Sequence, residues 1–295
     1  MGNVIKFVKS CISTTPVDMN EADAKALILE NLKSFLDERI VFAGDSIAKH
    51  ILSTMRDNDI IVTFGYSSLI VKILQAAAAR FKFQLVIIDS KPLNSGLQTL
   101  SALSPLIKCV YTPMSGAVNA IKGATRVILG ASCLFANGAM LAPAGTAMVA
   151  ALANAYQIPV IVAAESYKFT EKVQLDSIVF NEIGNASEVA LPSQQTGGEV
   201  TLVPQRFSGY RGPAESNAPG EASSTGTANV VSVPTSIRSS VTEASSKPSS
   251  VEILNLRYDL TPIDNISVVA TEIGLLPPSS IPVLIRELQT DGNKD

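Results

Sequence analysis

The stretch that most constrains this fold runs from Arg126 to Glu182. Two apolar, largely β-branched runs, Val127–Leu129 and Ile158–Val162, flank a stretch dense in small residues, APAGTAMVAALANAY. Strands of a parallel sheet are covered on both faces, so they read as unbroken apolar runs rather than alternating ones. Strand, helix, strand in this order is a βαβ unit. Ala144, Gly145, Ala147, Ala150 and Ala151 let the helix lie close against such a sheet. Gly145-Thr146 also leaves backbone N–H groups open at the helix's first turn, where an anion is favoured. Tight packing and an anion site are both compatible with these residues.

The same pattern repeats upstream. Strands are expected at 60–64 (IIVTF), 85–89 (LVIID), 109–112 (CVYT), 126–130 (RVILG) and 158–163 (IPVIVA), with helices between them. This spacing predicts right-handed parallel crossovers and a doubly wound, mostly parallel, Rossmann-like α/β sheet. Ligands of such sheets meet the carboxyl ends of the strands. Those ends carry Gly65 and Ser67, Lys91, Ser132, and Ala164 to Ser166. A rim of Ser, Thr, Asp and Lys suits a sugar phosphate, and suits ordinary loops equally.

Before the sheet, Ala24, Leu27, Ile28, Leu32, Phe35 and Leu36 recur at three and four residues, one face of a helix. Asn20 and Asp23 suit its start. Residues 1–18 read as a flexible lead-in and 19–58 as an N-terminal helical subdomain. Residues 59–288 read as the α/β domain and 289–295 as a tail. Between Phe207 and Ser250, 24 of 44 residues are Ser, Thr, Gly or Pro, and apolar positions have no period. A disordered insertion at about 205–250 is therefore expected. After it come a strand in ILNLRYDL, a helix from about Pro262 to Gly274, and a closing apolar run, IPVLIREL.

Several function classes are disfavoured at once. His50 is the only histidine, so a histidine triad or a multi-histidine metal site is ruled out. Cys11, Cys109 and Cys133 are far apart with no CxxC pair, which argues against disulfides and zinc, and Cys109 and Cys133, on or beside expected strands, read as inert buried thiols. The net charge of −3 argues against direct nucleic-acid binding. No apolar run reaches the roughly 20 residues that span a bilayer, and the start carries neither a signal h-region nor a myristoylation pattern. A cytosolic protein is expected. With 46% hydrophobic residues, a large buried sheet or subunit interfaces must absorb the apolar surface.

Particular motifs narrow this further. Gly130-Ala131, then Ala136-Asn137-Gly138, Gly145-Thr146, Ile158-Pro159-Val160 and Glu165-x-Tyr167-Lys168-Phe169 follow in that order. The tail pairs YDLTP at 258–262 with TEIGLLP at 271–277. This combination resembles the alpha/beta/delta family of regulatory subunits of eukaryotic translation initiation factor 2B, and the tail is most similar to delta members. The resemblance covers roughly Asn20 to Leu288, apart from the insertion.

The resemblance implies a non-catalytic subunit of the guanine nucleotide exchange factor for translation initiation factor 2. Its implied partners are the beta, alpha, gamma and epsilon subunits, and initiation factor 2 itself, held through that factor's alpha subunit whose phosphorylation is sensed. Exchange itself is implied for epsilon, and no cofactor is implied. The lead-in is short beside the basic extensions of many delta members. Related sugar-phosphate isomerases, of the ribose 1,5-bisphosphate and methylthioribose 1-phosphate types, use a cysteine after an early strand and an aspartate in G-A-D. Those positions fall here at Gly65 and Ser132, and the polar pair before G-T reads Ala142-Pro143. An isomerase, or a sugar-phosphate- or nucleotide-sensing homologue, is the alternative. The vestigial-pocket candidates are Gly65, Ser67, Lys91, Ser132, Asn137, Gly145 and Thr146. The subunit-interface candidates are Tyr167, Phe169, Asn181, Tyr258, Asp259 and Pro262.

Overall fold

A computed structural model of the chain describes residues 2–16, 18–185, 188–189 and 254–291. The apolar runs form the expected parallel strands: β1 (Ile60–Phe64), β2 (Gln84–Asp89), β3 (Lys108–Pro113) and β4 (Arg126–Gly130). Helices α4 (Ser68–Ala78), α5 (Gly96–Leu103) and α6 (Ala117–Lys122) cross between them. Helix α7 (Thr146–Ala155) leads into the next parallel strand, Val160–Ala163. Successive residues point to opposite faces of the sheet. Val62, Phe64, Val86 and Ile88 thus enter one core, with Val149 and Ala153 of α7. Ile61, Leu85, Ile87 and Ile128 enter the other, with Ile70, Ile73 and Leu74 of α4.

Two short strands separate β4 from α7: β5 (Cys133–Phe135) and β6 (Met140–Pro143), which pair antiparallel. Val160–Ala163 is therefore β7, and Phe169–Thr170 is β8. The C-terminal part supplies β9 (Tyr258–Thr261), β10 (Val268–Ala270) and β11 (Leu275–Leu276). The main sheet runs β11-β10-β7-β4-β1-β2-β3, parallel except for β11. Strand order reverses between β1 and β4, so the crevice of this fold opens beyond Phe64 and Gly130. A second sheet, β8-β5-β6-β9, lies at that end. The sequence reading did not anticipate it.

Three other expectations are corrected. The segment Pro262–Gly274 is not a helix. It holds a single 3-10 turn, Ile263–Asn265, and then β10 and β11. Val269 and Ala270 are fully buried there, and Ser267 bonds both the amide and the carbonyl of Val160. The lead-in contains helix α1 (Gly2–Thr14), whose Phe7 stacks on Phe35 at 4.3 Å. Helix α2 (Glu21–Leu36) runs through a π-helical turn, Asp37–Phe42, into α3 (Ala43–Leu52). Asn20 precedes α2 in extended backbone but makes no side-chain capping bond. The closing run is helix α8 (Ile281–Asp291). The expected insertion at about 205–250 lies outside the described residues.

Candidate functional site

The strand-end crevice begins at Gly65, directly after β1. Its φ of +59° suits glycine, and a Cβ there would lie 2.9 Å from the Ser95 Oγ. The Gly65 carbonyl accepts from Thr99 Oγ1 at 2.7 Å. A cysteine at this position therefore meets both backbone strain and Ser95. Ser67 occupies the N-cap of α4, and its hydroxyl lies over Gly130, where a Cβ would come within 2.5 Å of it. Ser132 is exposed, and its amide donates to Leu141 O at 2.9 Å, starting the β5–β6 pairing. Cys133, next to it, is half-buried, and that burial pushes its thiol up.

Beyond β2 the chain makes the Asp89-Ser90-Lys91-Pro92 turn, with a cis Lys91–Pro92 bond. Asp89 is buried and accepts from Tyr111 Oη at 2.7 Å. Burial first, and then this neighbour, push the Tyr111 phenol well up. Lys91 is exposed at the mouth of a cleft of about 320 Å3, which Phe64, Ser90, Ser95, Asn255 and Arg257 also line. The Arg257 guanidinium is already engaged by Glu188 at 2.8 Å. Arg257 and Ser95 were not anticipated as rim residues.

The helix N-terminus of the sequence reading is present, and it is filled from within the chain. Asp259 Oδ2 accepts from Gly145 N at 2.6 Å and from Ala147 N at 2.9 Å. Gly145 sits at φ +110°, and a Cβ there would lie 2.5 Å from Phe64 Cζ. Thr146 is buried and donates to Pro143 O at 2.6 Å. The anion favoured by this helix start is thus the protein's own carboxylate. Desolvation raises the Asp259 carboxyl to about 6, against the pull of its amide donors.

Asn137 lies elsewhere. Its Nδ2 donates to Gln174 O at 2.9 Å and fixes the loop after β8. The pocket candidates therefore divide. Lys91 lines the cleft, Gly65 and Gly145 adjoin its lining residues Ser95 and Phe64, Ser67 faces Gly130, Thr146 is buried, and Asn137 serves the fold. The interface candidates divide too. Phe169 is 3% exposed in the core, so it offers no surface to a partner. Asn181 donates to Tyr258 O at 2.6 Å and accepts from Tyr258 N at 3.2 Å, which makes the pair an internal clasp. Asp259 caps α7. Tyr167 is half-buried, and burial with Glu165 and Glu272 nearby pushes its phenol up to about 12. Pro262 is exposed. Among the described residues, no group of three or more His, Cys, Asp or Glu is placed to hold a metal. No described helix is long and apolar enough to cross a membrane.

A doubly wound sheet with a capped crevice and a second small sheet at its strand ends defines a Rossmann-like α/β protein. The chain belongs to the initiation factor 2 subunit family, whose model matches residues 1–278. It is 34% identical over 293 residues to translation initiation factor eIF2B subunit delta of Dictyostelium discoideum, covering 99% of this chain and 41% of that protein. It is 32% identical over 291 residues to the Schizosaccharomyces pombe delta subunit, covering 98% and 54%. The chain thus spans about half the length of these relatives. Ribose 1,5-bisphosphate isomerase of Pyrococcus furiosus is 25% identical, covering 91% of this chain and 69% of that enzyme. Among solved structures, the tetrameric eIF2B-beta2-delta2 complex from C. thermophilum gives a TM-score of 0.67 at 25% identity, covering 92% of this chain and 69% of that one. The resemblance to delta-type subunits thus holds over nearly the whole chain.

Proposed function

We propose that this chain is a non-catalytic, delta-type regulatory subunit of the guanine nucleotide exchange factor for translation initiation factor 2. It works in the cytosol beside alpha, beta, gamma and epsilon subunits. It helps hold initiation factor 2 and sense phosphorylation of that factor's alpha subunit, while exchange belongs to epsilon. One observation carries the non-catalytic part. At the crevice, the two reactive positions are Gly65 and Ser132, and the helix N-terminus beside them is occupied by Asp259. Proton transfer needs a side chain poised to take or give a proton, and neither position supplies a carboxylate or thiol. Similarity to delta subunits supports the regulatory part.

A second reading is kept for one reason. Lys91 lines the cleft beside Arg257, and with Arg257 paired to Glu188 it is Lys91 that is compatible with a sugar phosphate or nucleotide bound without turnover. The experiment for the first reading is co-assembly. Mixing the chain with a beta-type subunit and measuring mass by light scattering should give a stable hetero-oligomer. A chain that ignores beta-type subunits at micromolar concentration contradicts it.

A further inference from the structure

Residues 21–52 run as one helical rod, interrupted by the π-helical turn Asp37–Phe42. Below the turn, α3 is fixed in the core through Ala43, Ile47, Ala48, Ile51 and Leu52. Above it, no residue of α2 is buried. The inner stripe of α2 is half-buried Ala24, Leu27, Ile28, Leu32 and Phe35, and Phe35 stacks on Phe7 of α1. Helix α1 in turn lies against the 3-10 turn Ser166–Lys168, just beyond β7. The pair α1–α2 is thus an arm, joined to α3 through the π-helical turn and reaching the strand ends through α1.

The sequence fits this arm to two registers. In an α-helix, residues seven apart lie on one face, to within about 20°. Leu29, Leu36 and Ala43 have that spacing, so an unbroken α-helix would carry Leu29 and Leu36 on the buried face of α3. They are instead 66% and 52% exposed. A π-helical turn takes in one extra residue, which turns everything upstream of it by about 100°. Ile28 and Phe35 therefore hold the phase that Leu29 and Leu36 would hold, and both are half-buried. One apolar stripe is packed, and a second lies in water one residue away.

Lys72 of α4 holds the present register. Its Nζ donates to the Val41 carbonyl, inside the turn, at 3.2 Å and pairs with Asp45, just past the turn, at 2.7 Å. Gly44 leaves it room, since a Cβ there would lie 3.4 Å from the Nζ. Both charged side chains are partly exposed, so water competes for the contact and its hold is weak. We propose that the turn Asp37–Phe42 is a one-residue register switch, latched by Lys72, that rotates the α1–α2 arm against the α/β domain. Releasing the latch lets the turn become α-helix, which covers Leu29 and Leu36 and uncovers Ile28, Leu32 and Phe35. The arm carries the shift through α1 to Ser166–Lys168, so the outer helices and the strand ends respond to one another.

The test measures maleimide labelling rates in the full chain carrying Ile28→Cys or Leu29→Cys. Peptide mass spectrometry separates these sites from Cys11, Cys109 and Cys133. With Lys72 intact, Leu29→Cys should label faster than Ile28→Cys. Adding Lys72→Met keeps an unbranched stem and removes the donor. It should raise the rate at Ile28→Cys severalfold and lower the rate at Leu29→Cys. Deleting the exposed Glu38 removes the extra residue and fixes the packed stripe in an unbroken α-helix. That variant should fold, melt no lower than the parent chain, and make Lys72→Met silent at both cysteines. Unchanged rates in Lys72→Met overturn the latch. Faster labelling at both cysteines reports melting of α2 and overturns the rotation. Failure of the Glu38 deletion to fold, with Lys72→Met folded, overturns the claim that the turn holds one removable residue.

Discussion

The Asp259 carboxylate sits 2.6 Å from the Gly145 amide, joining residues 114 positions apart. Through this bond β9 holds the start of α7, and the crevice is shaped by the pair. Desolvation raises the folded pKa of Asp259 to about 6 from the ordinary 3.8. A group with a raised folded pKa binds its proton more tightly folded than unfolded. Its stabilising contribution is therefore full below about pH 4 and is lost as pH rises through about 6. Denaturant unfolding of wild type and Asp259→Asn across pH 4–7.5 measures this. The wild type should lose on the order of 2 kcal/mol relative to the variant over that window. Parallel profiles contradict it.

Removing the cap altogether has the opposite consequence at neutral pH. Asp259→Ala leaves the Gly145 and Ala147 amides unpaired at a partly buried helix start. A loss of about 1–3 kcal/mol is expected at pH 7, beyond any relief of the buried charge. Urea denaturation compared with Asp259→Asn separates the lost hydrogen bonds from the lost charge.

Gly145→Ala adds one carbon where none fits. The φ of +110° is strained for alanine, and the Cβ would sit 2.5 Å from Phe64 Cζ and 2.8 Å from Met114 Cε. Phe64 and Met114 must move, at a cost of about 2–4 kcal/mol from overpacking and backbone strain. The expected readout is a melting temperature lower by several degrees. An unchanged melting temperature contradicts this account of the position.

The clasp between Asn181 and Tyr258 is open to the same kind of test. Asn181→Ala leaves the Tyr258 N–H and C=O without their side-chain partner. The expected cost is about 1–3 kcal/mol. Faster hydrogen exchange should follow at Tyr258 and along 177–183. Exchange unchanged in that segment contradicts the anchoring role.

The parallel strands were legible because each is a continuous run of apolar residues between turn residues. The segment 262–274 was misread for a definite reason. Ile266, Val269, Ala270 and Ile273 stand at three- and four-residue spacing, which fits a helix. Pairing of Val268–Ala270 with β7 decides the outcome, and that pairing is tertiary. Strands β5 and β6 are three and four residues long, too short to show a period. The Gly145-Thr146 helix start was visible locally, but its anion comes from 114 residues away. No local signal announces that. Leu175, Phe180 and Ile183 read in sequence like core, and only the inward turn of Gln174 and Asn181 shows that they face out.

Incubating the protein with ribose 1,5-bisphosphate or methylthioribose 1-phosphate should yield no ketose above background. The resemblance puts Gly65 and Ser132 at the two proton-transfer positions, and neither side chain is a thiol or a carboxylate. Turnover that disappears on Lys91→Ala would show an active crevice and contradict the non-catalytic reading.

The central claim is tested most directly by GDP release from initiation factor 2, catalysed by the reconstituted exchange complex with and without this chain. Each preparation is challenged with the factor phosphorylated on its alpha subunit. The account predicts that phosphorylated factor slows release strongly when the chain is present, and far less when it is omitted. Equal inhibition with and without the chain, or failure of the chain to enter the complex, would contradict a regulatory role.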